Sequence, residues 1–190
     1  MSTADRDVPG PADFALGLVR LYVTGHRAPD PPDEPFYQRR AACFVTLKMH
    51  GQLRGCIGTL EPAEASLGRE IERNAFSSAL RDPRFPPVTS EEIDALTCSV
   101  DVLSESEPCS VEDLDPKVYG VIVESGFKRG VLLPALEGVD TVEQQVGIAL
   151  QKAGIAPDRG FDVRRFRVTR YREGDPAAEL DAGAPGPVCE

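Results

Sequence analysis

The segment LRGCIGTLEP, Leu53 to Pro62, sets a cysteine between two glycines and one strand alternation away from an arginine. In an extended chain Arg54 and Cys56 share one face, and Leu53, Gly55 and Ile57 share the other. A guanidinium beside a thiol favours the thiolate, the form that attacks electrophiles and binds metals. Glycine weakens a strand, so Gly55 and Gly58 mark a place where a ligand or another backbone comes close. The competing reading is plain packing, because cysteine is among the residues most often buried as a small hydrophobe. A cysteine nucleophile normally needs a base. The two histidines, His26 near a linker and His50 in a turn, are not well placed, so activation of Cys56 falls to a nearby cation or a backbone donor. Glu61 or Asp82 is the candidate proton acceptor, although surface carboxylates are usually just solvated.

A second segment, RDPRFPP from Arg81 to Pro87, combines a turn fixed by Asp82 and the prolines with two fork-shaped donors, Arg81 and Arg84. It reads either as an anion clamp or as a packed loop with Phe85 in the core. FKRG, Phe127 to Gly130, reads as a polar turn. Near the end of the chain Arg164, Arg165, Arg167, Arg170 and Arg172 alternate with Phe166, Val168 and Tyr171. That stripe suits nucleic acid superficially, but internal pairing with the acid-rich end of the chain explains it equally well. The cysteines form no CxxC pair and the histidines no HxxxH or HExxH pair, and there is no GxxxxGK[ST] or GxGxxG loop. No metal or cofactor is predicted, and the chain by itself has no motif for a radical-SAM cluster.

Positioning such residues takes a folded core, and 190 residues with 41% hydrophobic and 27% charged side chains suffice for one domain or two small lobes. The net charge of −10 disfavours a sequence-independent grip on nucleic acid or an anionic membrane. Five acids and no base lie between Glu173 and Glu190, so the folded part is only mildly acidic. An odd set of five cysteines without regular spacing argues against a disulfide scaffold. Apolar runs such as Val131 to Leu133 are far shorter than the roughly 20 residues a bilayer requires. A soluble, cytoplasmic protein with free thiols is expected.

The elements follow from periodicity. Residues 1–11 and 174–190 read as flexible tails, the second acidic, around a folded region at 12–173. Phe14, Leu18, Leu21 and Tyr22 mark a helix stopped by Gly25, and Ala28 to Pro35 forms a break. Ala41 to Met49 and Gln52 to Leu60 make a hairpin across His50 and Gly51. Pro62 suits the start of a helix reaching Leu80, with Leu67, Ile71, Ala75 and Ala79 on one side. Thr89 with Glu92 has capping-box spacing for a short helix, and Leu96 to Leu103 alternates as a strand. A second hairpin, Tyr119 to Glu124 and Phe127 to Leu133, precedes a helix opened by Thr141 and Gln144 and closed by Gly154. A last strand runs from Val163 to Tyr171. Hairpin, helix and strand thus occur twice, and the fold class is α+β, with antiparallel sheets covered by helices.

LRGCIGTLEP, RDPRFPPVTSEEI, LEGVDTVEQQ and KAGI, in this order over Phe14 to Tyr171, resemble the AMMECR1-domain family, most closely its bacterial branch called AmmeMemoRadiSam system protein A. The resemblance implies a two-lobed fold in which the RGCIGT strand lines a cleft, and the company of a Memo-like protein and a radical-SAM protein. It supplies no reaction. Arg54, Gly55, Cys56, Ile57, Gly58 and Thr59 match the first motif, and Asp82, Pro83, Arg84 and Phe85 the second. The candidate site is therefore Cys56 as nucleophile and Asp82 as base, with Arg54, Gly55, Gly58, Thr59, Arg81 and Arg84 binding the ligand, and Arg84 is expected to border one pocket with Cys56. Relatives often carry Asp where this chain has Ala135 and His where it has Tyr171, which puts a catalytic or metal role for that corner in doubt. Two functions stay open: a binding or accessory component acting with those partners, or an enzyme using a Cys56 thiolate on a small anionic substrate. The oligomeric state is not legible.

Overall fold

The computed structural model describes residues 8–178; Cys189 and the outer parts of both expected tails lie outside them. In chain order the elements are α1 (Pro11–Val23), α2 (Pro35–Gln38), β1 (Cys43–Met49), β2 (Gln52–Gly58), α3 (Leu67–Leu80), β3 (Leu96–Leu103), β4 (Glu107–Pro108), β5 (Gly120–Ser125), β6 (Lys128–Leu132), α4 (Val142–Ala153), β7 (Asp162–Phe166) and β8 (Val168–Arg172). The chain divides into two compact units, and the mixed architecture is the expected α+β class.

The first unit comprises residues 8–102 and 170–178. Its sheet has the order β2-β1-β3-β8. Alternation along β1 sends Cys43, Val45 and Leu47 into the core, where the α3 row Leu67, Ile71, Ala75 and Ala79 meets Phe14 and Leu18 of α1. Each such fully buried aliphatic side chain contributes about 1.5–3 kcal/mol. His50 and Gly51 close the first hairpin at φ 52° and 80°, the left-handed pair that a two-residue turn needs. Tyr37, fully buried, donates its hydroxyl to the Pro9 carbonyl, and the Gly174 amide donates to Asp13 at 2.9 Å. A side chain at Gly10 would stand 1.8 Å from the Asp175 carbonyl oxygen. These contacts tie residues 8–11 and 174–178, expected as tail, to the first unit.

The second unit comprises residues 103–169, with the sheet order β4-β7-β5-β6 and α4 packed on it. Val121, Val123 and Leu132 face Val146, Ala149 and Leu150. The helix opens on a complete capping box, with the Gln144 amide donating to the Thr141 hydroxyl at 3.2 Å and the Thr141 amide to the Gln144 side chain at 3.0 Å. It ends at Gly154 with φ 63°.

Four expectations are corrected. The helix placed at Pro62 begins at Leu67, because the Ser66 hydroxyl caps it by accepting the Arg69 amide. The break at Ala28 to Pro35 ends in the one-turn helix α2, which buries Phe36 and Tyr37. The short helix after Thr89 is a single 3-10 turn, Ile93–Ala95. The last strand is two strands in two different sheets, separated at Arg167, whose amide and carbonyl both bond Ser104. The apolar and polar alternation from Phe166 to Thr169 runs straight across the break and hid that change of sheet. Among the described residues no helix is long and apolar enough to cross a membrane.

Candidate functional site

Every fourth residue of α3 on the side next to its apolar row is polar and buried: Glu70, Asn74 and Ser78 are at most 1% exposed. Each bonds the chain around the first hairpin. Glu70 accepts the Thr59 hydroxyl at 2.5 Å and the Ala63 and Glu64 amides, which shapes the loop before the helix. Asn74 donates to the Cys43 carbonyl at 2.9 Å. Ser78 donates to the Val45 carbonyl and accepts the Ile57 amide. Asp82 extends the row just beyond the helix, accepting the Cys56 amide at 2.9 Å. Gly55 permits the approach, since a Cβ there would lie 2.2 Å from the Ser78 carbonyl oxygen. At Gly58 a Cβ would strike the Phe44 ring at 2.3 Å. Both glycines thus admit parts of the chain itself, one a helix backbone and the other an aromatic ring.

The two sequence motifs meet at Cys56. The Cys56 amide bonds Asp82, and the Cys56 carbonyl accepts Arg84 Nη2 at 2.9 Å. Asp82 and Arg84 are joined by bonds of 3.0 Å to Oδ1 and 2.7 Å to Oδ2, so acid and base together hold one residue of β2 by its backbone. The half-buried thiol itself lies 3.2 Å from the Thr46 hydroxyl, its cross-strand neighbour on β1.

The candidate base is recast by this geometry. Asp82 is 4% exposed, and the Arg84 guanidinium, aided by the Cys56 and Arg84 amides, holds its carboxyl well below the usual carboxylate range. So stabilised an anion is a poor proton acceptor. Arg54 is likewise engaged. The strand register slips at Leu47 and Lys48, leaving Arg54 without a direct partner on β1, and a bulge residue does not follow simple alternation. Its guanidinium grips Glu92 through two bonds of 2.8 and 3.0 Å and donates to the Pro86 and Pro87 carbonyls. Glu92 is pushed down to about 2, first by Arg54 and then by the Thr89 amide. Phe85, half-buried, has the Arg84 and Arg54 guanidiniums 5.5 and 6.0 Å from its ring centre. Arg81 stacks instead on Phe76, 4.7 Å from the ring centre.

Glu92, Glu70, Ser78 and Thr46 were absent from the sequence-derived site. The capping spacing of Glu92 with Thr89 and the fourfold spacing of Glu70, Asn74 and Ser78 were the available signals. Burial pushes the Cys43 and Cys98 thiols far up, so both are inert packing groups. No group of three His, Cys, Asp or Glu able to hold a metal occurs among the described residues. Tyr171 is a core residue, fully buried against Phe36 with its hydroxyl on the Ala178 carbonyl. Ala135 stands at φ 53° with its amide on the Pro116 carbonyl, a conformation that Asp or Asn adopts more readily. In chemical terms the arrangement fixes β2 by its backbone and sets its half-buried thiol against the buried Thr46 hydroxyl of β1.

A model of the AMMECR1 family matches residues 12–174. A Thermotoga maritima protein is 47% identical over 84% of this chain and 95% of its own length. A Clostridium acetobutylicum protein is 46% identical over 82% of this chain, which accounts for only 34% of that relative. The crystal structure of an uncharacterized Pyrococcus horikoshii protein superposes with a TM-score of 0.71 at 30% identity, over 89% of this chain and 92% of the other.

Proposed function

The chain belongs to the AMMECR1 family, and we propose that it serves there as a binding or accessory component, of the branch called AmmeMemoRadiSam system protein A, acting with a Memo-like protein and a radical-SAM protein. The observation that carries this reading is the engagement of both groups expected to activate Cys56: Arg54 is occupied by Glu92, and Asp82 by Arg84 and two amides. A cysteine beside a fixed, weakly basic carboxylate is suited to contact more than to bond-making. The Clostridium relative, in which this domain is a third of a longer chain, fits a component that works with other modules. The reading places the protein in the reducing cytoplasm, a setting that suits cysteines outside disulfides such as the four among the described residues.

Purified protein mixed with the Memo-like and radical-SAM proteins of its own genome should co-elute in size-exclusion chromatography. Cys56→Ser should co-elute equally. Separate elution of all three at micromolar concentrations sinks the proposal.

The second reading, a Cys56 thiolate acting on a small anionic substrate, draws on the half-buried thiol beside Thr46. Limiting iodoacetamide near neutral pH separates the two. Labelling of Cys56 faster than the cysteines of the unfolded chain supports the enzyme; slower labelling supports the component.

A further inference from the structure

The arginines of the last two strands differ in what holds them. Arg170 is closed by Asp101, with two bonds of 2.6 Å, and both side chains are nearly buried. In the second unit Arg165 and Arg167 share the ring of Tyr119, their guanidinium carbons 4.4 and 4.7 Å from its centre. Arg167 Nη2 donates to the Tyr119 hydroxyl at 2.7 Å. Arg165 uses Nε on Glu107 at 2.7 Å and Nη1 on the Asp113 carbonyl at 2.9 Å. Among the described residues Arg167 has no carboxylate partner, and no acceptor stands against its Nε and Nη1, the Nη2 of Arg165 or the hydroxyl proton of Tyr119. Arg165 is paired directly with Glu107 and also lies close enough to the Asp113 carboxyl to add to its lowering by Ser110, whereas Arg167 has no carboxylate in contact among the described residues, so the uncompensated positive charge is that of Arg167.

We propose that Tyr119, Arg165 and Arg167 form an anion site for a phosphate group, free or carried as a small monoester. The unengaged donors belong to two guanidinium forks and one phenol around a single ring, and a tetrahedral dianion offers enough oxygens to bridge them. A carboxylate has two oxygens and is matched by one fork. The ring holds both guanidiniums through its face and the hydroxyl fixes Arg167, so little side-chain freedom remains to be lost on binding. Nucleic acid is disfavoured by the overall charge of −10. Of the arginines that the RGCIGT and RDPRFPP motifs suggested for anions, Arg54 is by contrast paired with Glu92 and Arg84 with Asp82, while Arg81 stacks on Phe76.

The test is a titration of the full chain with inorganic phosphate and, separately, with glycerol 2-phosphate, at constant ionic strength, read from arginine Nε–H resonances. The Arg165 and Arg167 signals should move together and saturate at millimolar concentrations. Arg167→Gln should raise the midpoint about tenfold, as the loss of a charge-assisted bond implies, and Tyr119→Phe by less. Tighter binding of the ester assigns the site to phosphate esters, and binding of inorganic phosphate alone to the free anion. Shifts that do not saturate, equal shifts at the exposed Arg73, or an unchanged midpoint in Arg167→Gln with native circular dichroism would overturn the assignment.

Discussion

The two helix-covered hairpins use one packing device for different ends. In each, a glycine of the second strand lies under the helix: a Cβ would stand 2.2 Å from the Ser78 carbonyl oxygen at Gly55 and 2.0 Å from that of Ala149 at Gly130. What the helices bring to that contact differs. α4 offers Val146, Ala149 and Leu150 with Gln145 as its one buried polar residue, whereas α3 adds Glu70, Asn74 and Ser78, each bonded to the chain around the hairpin. The close approach is thus a property of the scaffold, and the polar row that fixes the RGCIGT strand is an addition to it. A motif glycine can be read as a ligand's doorway when it is a helix's seat.

The comparison breaks most visibly at Arg54. Arg54→Leu leaves Glu92 without its partner and should cost about 3–5 kcal/mol in denaturant unfolding. A loss under about 1 kcal/mol would remove the claim that this pair anchors the loop. Gly55→Ala and Gly130→Ala should each cost about 1–3 kcal/mol, because a helix backbone must shift in both. Similar losses in the two variants would sharpen the shared device, and a silent Gly130→Ala would dissolve it. Asp82→Asn should cost about 1–3 kcal/mol through a weakened hold on Cys56.

The same pairs set an acid response. The carboxyls of Asp82 and Glu92 are lowered in the folded chain, so their stabilisation is complete above the unfolded values of 3.8 and 4.5. It fades as the pH falls toward and below about 2, the folded value for Glu92. Unfolding curves between pH 5 and 2 should therefore be flatter for Asp82→Asn than for the native chain, and parallel curves would contradict this. The smallest effect belongs to the second unit: Ala135→Gly should stabilise by about 1 kcal/mol by relieving a left-handed alanine, and an unchanged melting temperature would count against strain there.

The hairpins, the α3 apolar row and the Thr141 capping box were legible because each rests on local spacing. The end of β7 was not, since the alternation around Phe166 continues into β8 while the chain changes sheets. At the site, the meeting of Asp82 and Arg84 with Cys56 was foreshadowed only by the two motifs occurring together. The helix is five residues shorter than expected at its start, the loop gathered by Glu70 taking up the difference. The partner of Arg54 was hidden for another reason: Glu92 already had a local explanation in the cap of Thr89, and one carboxylate serves both.

The hold of Asp82 and Arg84 on the Cys56 backbone bears on the life of this protein in a crowded solution. β2 is the outermost strand of its sheet, and an unpaired outer strand is a template for the extended segment of another molecule. With a carboxylate on the amide and a guanidinium on the carbonyl, the midpoint of that border is already answered by side chains that no second copy displaces without exposing a charge. The RDPRFPP loop thereby occupies, at Cys56, the backbone groups through which a further strand would join the sheet.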